Sequence, residues 1–508
     1  MLLRRLSLVV LVALALTGGL AGRSDAAVSN VGTTRICSGC ADRAGDLSRY
    51  GYVTLHAWQH DRIPALKAAN PSVKVLVYKD MASTPDYDCH DGRDDPLLPS
   101  GVGYCWTLAN HPDWFTTDGQ GRRIEWQHWD GNWQMDVGLA AYQDQWGENV
   151  LADLRRYGWD GVVIDDANVD QSRLVGNAKM REYPTQPAYQ AATRSFLARV
   201  GPRLMKAGFL VIPNIQADPV LANAKLWADW IQFTSGGTRE YWMKWGSDRA
   251  GHYGAGGWDD LQAVFDTVQR AGKVFLTTTT APADDVRSMR WGRASFLVGW
   301  NGGPSAFIFD PNAAVDPWSA EWTVDIGRPT GSRERAGESA WRRDYTGGTA
   351  VVNTSESAAQ TVDLGSSYLT PEGMPVTQVT LQPMSGFVLR FAPGAAPPAK
   401  TTATPSKKAV QRKAKPRRAA ERARRLEGRV SLHSGPQVHG RVHARRAPWR
   451  VSVYVTSSTG WHLFARARTD RRGHFRIGKP LRARQSTRLR AVARAGRTWA
   501  QSRVLRVS

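Results

Sequence analysis

The residues of this chain with the most pointed chemistry are two adjacent aspartates closing an apolar run, Trp159-Asp-Gly-Val-Val-Ile-Asp165-Asp166. Burying a carboxylate for packing alone is expensive, and parallel barrels collect their reactive groups at the C-terminal ends of strands. Successive strand residues face opposite ways, so one of the pair faces a barrel axis and the other faces away. Asp165 is read as the inward group. Asp166 stays in the candidate catalytic set, although a helix-capping or loop-binding carboxylate fits it better. A second acid, Glu240, ends the Gly-rich turn Thr234-Ser-Gly-Gly-Thr-Arg-Glu-Tyr-Trp242. Burial beside Tyr241 and Trp242 would raise its pKa, as a general acid requires. One ionised and one protonated carboxyl flanking a bond is the usual equipment for hydrolysing a glycosidic linkage.

Four more residues are candidate substrate contacts: Tyr78, Asp136 and Asn214, each at the end of an expected strand, and Trp242 beside Glu240. Trp106 joins them from a long insertion. Other chemistries lack their residues. The chain has no Gly-x-Ser-x-Gly elbow, no His-Glu-x-x-His pair and no Gly-x-x-x-x-Gly-Lys phosphate loop. His56, His60, His111 and His128 are scattered, so neither a metal nor a cofactor is expected.

Eight short β-branched or aromatic runs alternate with helix-length segments, the pattern of repeated βα units. The runs are Tyr52–His56, Val73–Tyr78, Gln134–Val137, Gly161–Ile164, Phe209–Ile212, Trp230–Phe233, Lys273–Leu276 and Ala306–Phe309. Helices are expected at Ile63–Ala69, through Trp146 to Leu154, and near 187–207, 258–272 and 284–294. No Gly-rich phosphate turn follows the first strand, so a (β/α)8 TIM barrel is preferred to an open doubly wound sheet. Residues 82–132 form an insertion too long for a simple connection. Its Trp106, Trp114, Trp126, Trp129 and Trp133 offer flat surfaces on which sugar rings could stack.

The expected organisation is a signal peptide at 1–27, the barrel at 28–326 and a small β-domain packed on it at 327–394. A disordered basic Pro/Ala/Lys/Arg linker at 395–429 and an Arg-rich β-sandwich at 430–508 follow. Arg4 and Arg5, the apolar run from Leu6 to Leu16, and Ala26-Ala27 carry the export reading, which places the mature chain outside the cell or at its envelope. No later stretch is long and apolar enough to cross a bilayer. Four cysteines in an exported chain imply disulfides; Cys37–Cys40 and Cys89–Cys105 are the favoured pairs.

The formal charge of +22 is concentrated at one end. Residues 395–508 hold 30 Lys and Arg against 3 acids, whereas the rest holds 37 against 42. Strands such as Arg450–Val455, Trp461–Phe464, His474–Ile477 and Arg488–Val492 alternate apolar with basic or polar residues, with a turn at Asp470–Gly473. A basic face of this kind suits an anionic cell-envelope polymer. Nucleic acid is disfavoured, because no recognition helix, RNA-binding signature or zinc finger is present.

Asn110-His-Pro-Asp-Trp114, Asp118-Gly119, Met135-Asp136 and Gly158-Trp-Asp-Gly-Val-Val-Ile-Asp-Asp166 resemble the hypothetical glycosyl hydrolases with amylase-like barrels, over roughly residues 30–392. The resemblance implies a polysaccharide or oligosaccharide substrate. It also implies Asp165 as nucleophile or base and an acid after a later strand, carried over to Glu240, as proton donor. The competing expectation is a glycan-binding or surface-associated protein on a barrel that has lost the reaction.

Overall fold

Seven strands run parallel, most of them rich in Val, Ile, Leu and Thr, the composition of a sheet buried on both faces. They are β1 (Tyr52–Leu55), β2 (Lys74–Asp80), β3 (Gly161–Asn168), β4 (Leu210–Gln216), β5 (Gly236–Arg239), β6 (Val274–Thr280) and β7 (Ala306–Asp310), paired in that order. The structure is a computed structural model. It describes residues 50–395 apart from 128, 172–174, 177, 217–223 and 311–323, and most of the strand residues between 430 and 506. The signal segment, Cys37, Cys40 and nearly all of the linker lie outside the described residues.

The sheet is nearly closed. Tyr52 at its first strand donates through its hydroxyl to Pro304 O, just before its last. Leu76, Val163, Ile212, Val274, Leu276 and Ala306 form one small apolar cluster, the filling of the barrel. Their neighbours in the strands, including Val75, Val162, Val211, Phe275 and Phe307, belong instead to the large core shared with the helices. Those helices are α1 (Ile63–Ala69), α2 (Tyr104–Asn110), α3 (Ala140–Tyr157), α4 (Gln186–Lys206), α5 (Ala224–Ile231), α6 (Ala255–Arg270) and α7 (Val286–Gly299).

Two of the eight expected strands are corrected. Gln134–Val137 contributes nothing to the barrel. Asn132–Gln134 instead pairs antiparallel with Ser83–Pro85, closing the base of the insertion, and β2 pairs directly with β3. Trp230–Phe233 begins inside α5, because Trp227, Trp230 and Ile231 share one buried helical face. The true strand, β5, reads Gly-Gly-Thr-Arg, and its glycines answer to crowding. A Cβ on Gly236 would lie 1.9 Å from Val274 O, and one on Gly237 would lie 2.7 Å from the Trp227 ring.

Six antiparallel strands follow: β8 (Glu334–Arg335), β9 (Ala340–Tyr345), β10 (Gly348–Asn353), β11 (Gln360–Leu369), β12 (Pro375–Leu381) and β13 (Ser385–Phe391). This sheet packs on α7 and α6. Arg343 donates to Gly299 O at 2.9 Å, and Trp341 stacks on Trp258 with centroids 5.6 Å apart.

The chain divides into two compact units, residues 1–399 and 400–508. Within the second, Val430–His433, Gln437–Val442 and His474–Pro480 make one antiparallel sheet. Gly460–Arg468, Arg450–Ser457, Arg488–Ala495 and Thr498–Gln501 make another, with Leu505–Arg506 at its side. Among its described residues, Val442, Trp449, Val451, Val453, Phe475, Ile477 and Ala491 are buried apolar side chains.

Candidate active site

Alternation along the strands carries the pattern of the filled barrel up to its mouth. Two residues beyond Leu76, Val163 and Ile212 stand Tyr78, Asp165 and Asn214, so an apolar layer is capped by a polar one. These three side chains meet. The Tyr78 hydroxyl donates to Asp165 Oδ2 at 2.8 Å, and Asn214 Nδ2 donates to Asp165 Oδ1 at 2.8 Å. The amide of Asp166 adds a third donor to Oδ1, also at 2.8 Å. Tyr78 and Asn214, expected to touch substrate, therefore hold the Asp165 carboxylate. Burial, reinforced by the charges of Asp165, Asp80 and Asp166, keeps the Tyr78 phenol far above its ordinary range, so it is always a donor. Asp165 itself is half-buried, reachable from the mouth.

Asp166 does not follow simple alternation. It adopts φ 56° at a bulge between Ile164 and Ala167, where the register of β3 against β4 shifts. A non-glycine residue in the left-handed region is strained, and such strain and bulges gather beside active sites. Its side chain is buried and accepts from Asn168 Nδ2 at 2.9 Å. Its contribution at the site is the backbone amide that orients Asp165.

Glu240 follows β5 directly, at the same end of the parallel sheet as Asp165, and is half-buried. Trp242, expected as a substrate contact, is corrected: it is fully buried. Its ring packs edge-on to Phe265 and Phe275, and its indole N–H donates to Gly292 O at 2.9 Å. Asp136 lies beyond the short strand Asn132–Gln134 rather than at the end of a barrel strand. There it accepts from the Tyr183 hydroxyl and from Gly138 N, and burial raises its pKa.

The insertion divides its tryptophans. Trp114 is buried in the core, and Trp126 and Trp133 are packed against it, whereas Trp106 and Trp129 remain 38% and 60% exposed. A Cys89–Cys105 disulfide ties the insertion, and Asp94 accepts from the amides of Cys105 and Trp106 that open α2. Among the described residues, the one grouping suited to a metal is Cys89, Asp94 and Cys105, and both its sulfurs are in that disulfide. No described helix is long and apolar enough to cross a membrane.

Two features escaped the sequence. Asp80, paired in register with Asp165, is buried at the end of β2. The strand-end rule that singled out Asp165 applies to it equally, but the apolar run stops at Tyr78 and hides two further strand residues. His56 ends β1's run and stacks on Trp58, with centroids 4.2 Å apart and planes 8° from parallel. Burial lowers its pKa to about 4, so it is neutral near neutral pH.

Residues 67–349 match the sequence model of hypothetical glycosyl hydrolase family 15. The chain belongs to that family. Glycosidase activity comes with membership, and the family segment contains Tyr78, Asp80, Asp165, Asn214 and Glu240. No curated protein sequence matches the chain. Among solved structures, it is similar to the glycoside hydrolase domain of PelA from Pseudomonas aeruginosa, with 16% identity and a TM-score of 0.36, covering 56% of this chain and 95% of that one. Ega3 of Aspergillus fumigatus, in complex with galactosamine, gives 12%, 0.33, 57% and 94%. The α-amylase of Geobacillus thermoleovorans, complexed with acarbose, gives 10%, 0.40, 69% and 89%.

Proposed function

We propose that this family member is a secreted glycosidase acting on an extracellular or cell-envelope polysaccharide, with Asp165 as its ionised carboxylate and Glu240 as its proton donor. The observation that carries the reading is the convergence of three donors, from Tyr78, Asn214 and the Asp166 amide, on one half-buried carboxylate at the barrel mouth. Three donors fix the orientation of this carboxyl, so Asp165 is placed to attack the anomeric carbon or to take a proton from the attacking water. Glu240 gives its proton to the departing glycosidic oxygen as the C–O bond breaks, which leaves a neutral alcohol. Asp165 and Glu240 stand two strands apart, roughly 10 Å between strand axes, and side chains leaning inward from there can flank one bond.

The basic second unit serves in this reading to hold the enzyme on an anionic envelope polymer. Its Arg-bearing strands alternate along Arg450–Ser457 and Arg488–Ala495. Binding of the full chain to an anionic polymer resin should then fall steeply with added salt.

Reducing-sugar release across a polysaccharide panel tests the reaction. Asp165→Asn and Glu240→Gln should each abolish release from any polymer the wild type cleaves, with folding kept. Full activity in both variants would place the chemistry elsewhere.

A further inference from the structure

The mechanism above leaves one acid at the barrel mouth unused. Asp80 is the register partner of Asp165 on the adjoining strand, and both residues continue inward-facing positions, from Leu76 and Tyr78 on β2 and from Val163 on β3. Neighbouring strands are about 4.8 Å apart, so two carboxyls stand side by side at one height. Asp80 is only 7% exposed and its oxygens are committed. Oδ1 accepts from Ala82 N at 2.6 Å and from Ser83 N at 3.1 Å, and Oδ2 accepts from Ser83 Oγ at 2.7 Å.

Two of those three donors come from Ser83. Ser83 begins the short strand Ser83–Pro85 that pairs with Asn132–Gln134, so it is the first residue of the hairpin closing the insertion. The backbone joins the same knot: Met81 N donates to Asp165 O at 3.3 Å, and the Trp146 indole N–H donates to Asp80 O at 3.0 Å. Asp80 thus joins the two through different parts of itself: its backbone and that of Met81 pair with the strand that carries Asp165, and its carboxyl holds the root of the insertion.

We propose that Asp80 is a positioning residue for hydrolysis, setting the height of Asp165 at the barrel mouth and anchoring the Trp-rich insertion beside it. This rests on the reading of Asp165 as the reacting carboxylate.

The electrostatics follow from the placement. Two carboxylates this close cannot both ionise cheaply. Asp165 has three donors and access to solvent, whereas burial, and then the charge of Asp165, raises Asp80 to about 7. Among the described residues, the other titratable groups in electrostatic contact with Asp80 are Tyr78 on its own strand, Tyr142 on α3 and Tyr189 on α4. All three are phenols that burial holds neutral. Asp80 therefore holds a proton on the acid side of neutrality.

The test compares full-length Asp80→Asn, Ser83→Ala, Asp165→Asn and wild type on a polysaccharide that the wild type hydrolyses, from pH 4 to 9. Asp80→Asn should lower kcat by roughly ten- to a hundredfold, the scale of a misplaced reacting group, with KM changed less than about twofold. Wild type should show an inflexion near pH 7, and it should vanish in this variant. Ser83→Ala keeps Asp80 but removes a hydrogen bond that lowers its pKa, so its inflexion should move to higher pH. It also serves if Asp80→Asn does not fold. Wild-type kcat and an unmoved inflexion in either folded variant would overturn the role of Asp80. Undiminished activity in Asp165→Asn would instead overturn the reading beneath it.

Discussion

The Tyr78 hydroxyl reaches across from β2 to donate to Asp165 Oδ2 on β3 at 2.8 Å, and burial keeps that phenol protonated at any working pH. The Tyr78 ring also lies against His56, with centroids 5.2 Å apart, so Tyr78→Phe should keep the fold and that contact while removing one donor. A hydrogen bond to a charged group is worth about 1.5–3 kcal/mol, on the order of ten- to a hundredfold in kcat/KM. Steady-state kinetics check this, and an unchanged kcat/KM would mean that Asp165 does not depend on the phenol.

Asp80 also makes stability depend on pH in a defined direction. Its pKa is raised from 3.8 to about 7 in the folded chain, so between those values the folded state holds a proton that the unfolded state has lost. Stability contributed by this group is present at low pH and is lost as pH rises through the window, levelling off above about 7. Chemical denaturation at intervals from pH 4 to 8 should show this decline in wild type and a shallower one in Asp80→Asn. Parallel curves would refute the assignment.

Trp106 and Trp242 should respond oppositely to truncation. Trp242 is fully buried against Phe265 and Phe275, so Trp242→Ala should cost about 3–5 kcal/mol of stability. Trp106 is 38% exposed, so Trp106→Ala should cost under about 1 kcal/mol. Any effect of Trp106→Ala on activity should appear in KM. Thermal unfolding and kinetics on the same samples separate the two.

The Cys89–Cys105 disulfide closes a segment with a sequence separation of 16. Constraining a loop of that size stabilises by about 3 kcal/mol. Reduction, or Cys89→Ser with Cys105→Ser, should lower the unfolding midpoint and expose the insertion first to limited proteolysis. Cleavage beginning in the barrel strands instead would show that the bridge does not guard the insertion.

Periodicity makes most of the barrel legible in the sequence. Runs such as Gly161–Ile164 and Ala306–Phe309 are buried on both sides, and two-sided burial leaves a continuous apolar signature. The same signature misled at Trp230–Phe233, where aromatic spacing served a helix face. It was silent at β5, whose glycines are there because Val274 O and Trp227 leave no room for a Cβ. Crowding of that kind is a property of neighbours distant in sequence.

What the sequence by itself determined is the strand-end carboxylate. An aspartate closing Gly-Val-Val-Ile stands at the C-terminal end of a buried strand, and the side of the sheet it faces follows from strand period alone. Tertiary structure alone decided what surrounds it: that Tyr78 and Asn214 serve Asp165, that Asp166 turns away at a bulge, that Trp242 belongs to the core, and that Asp80 stands beside it. These relations depend on register between strands and on burial of polar groups. Both are fixed by packing among residues 49 to 87 positions apart, a distance over which local patterning carries no information.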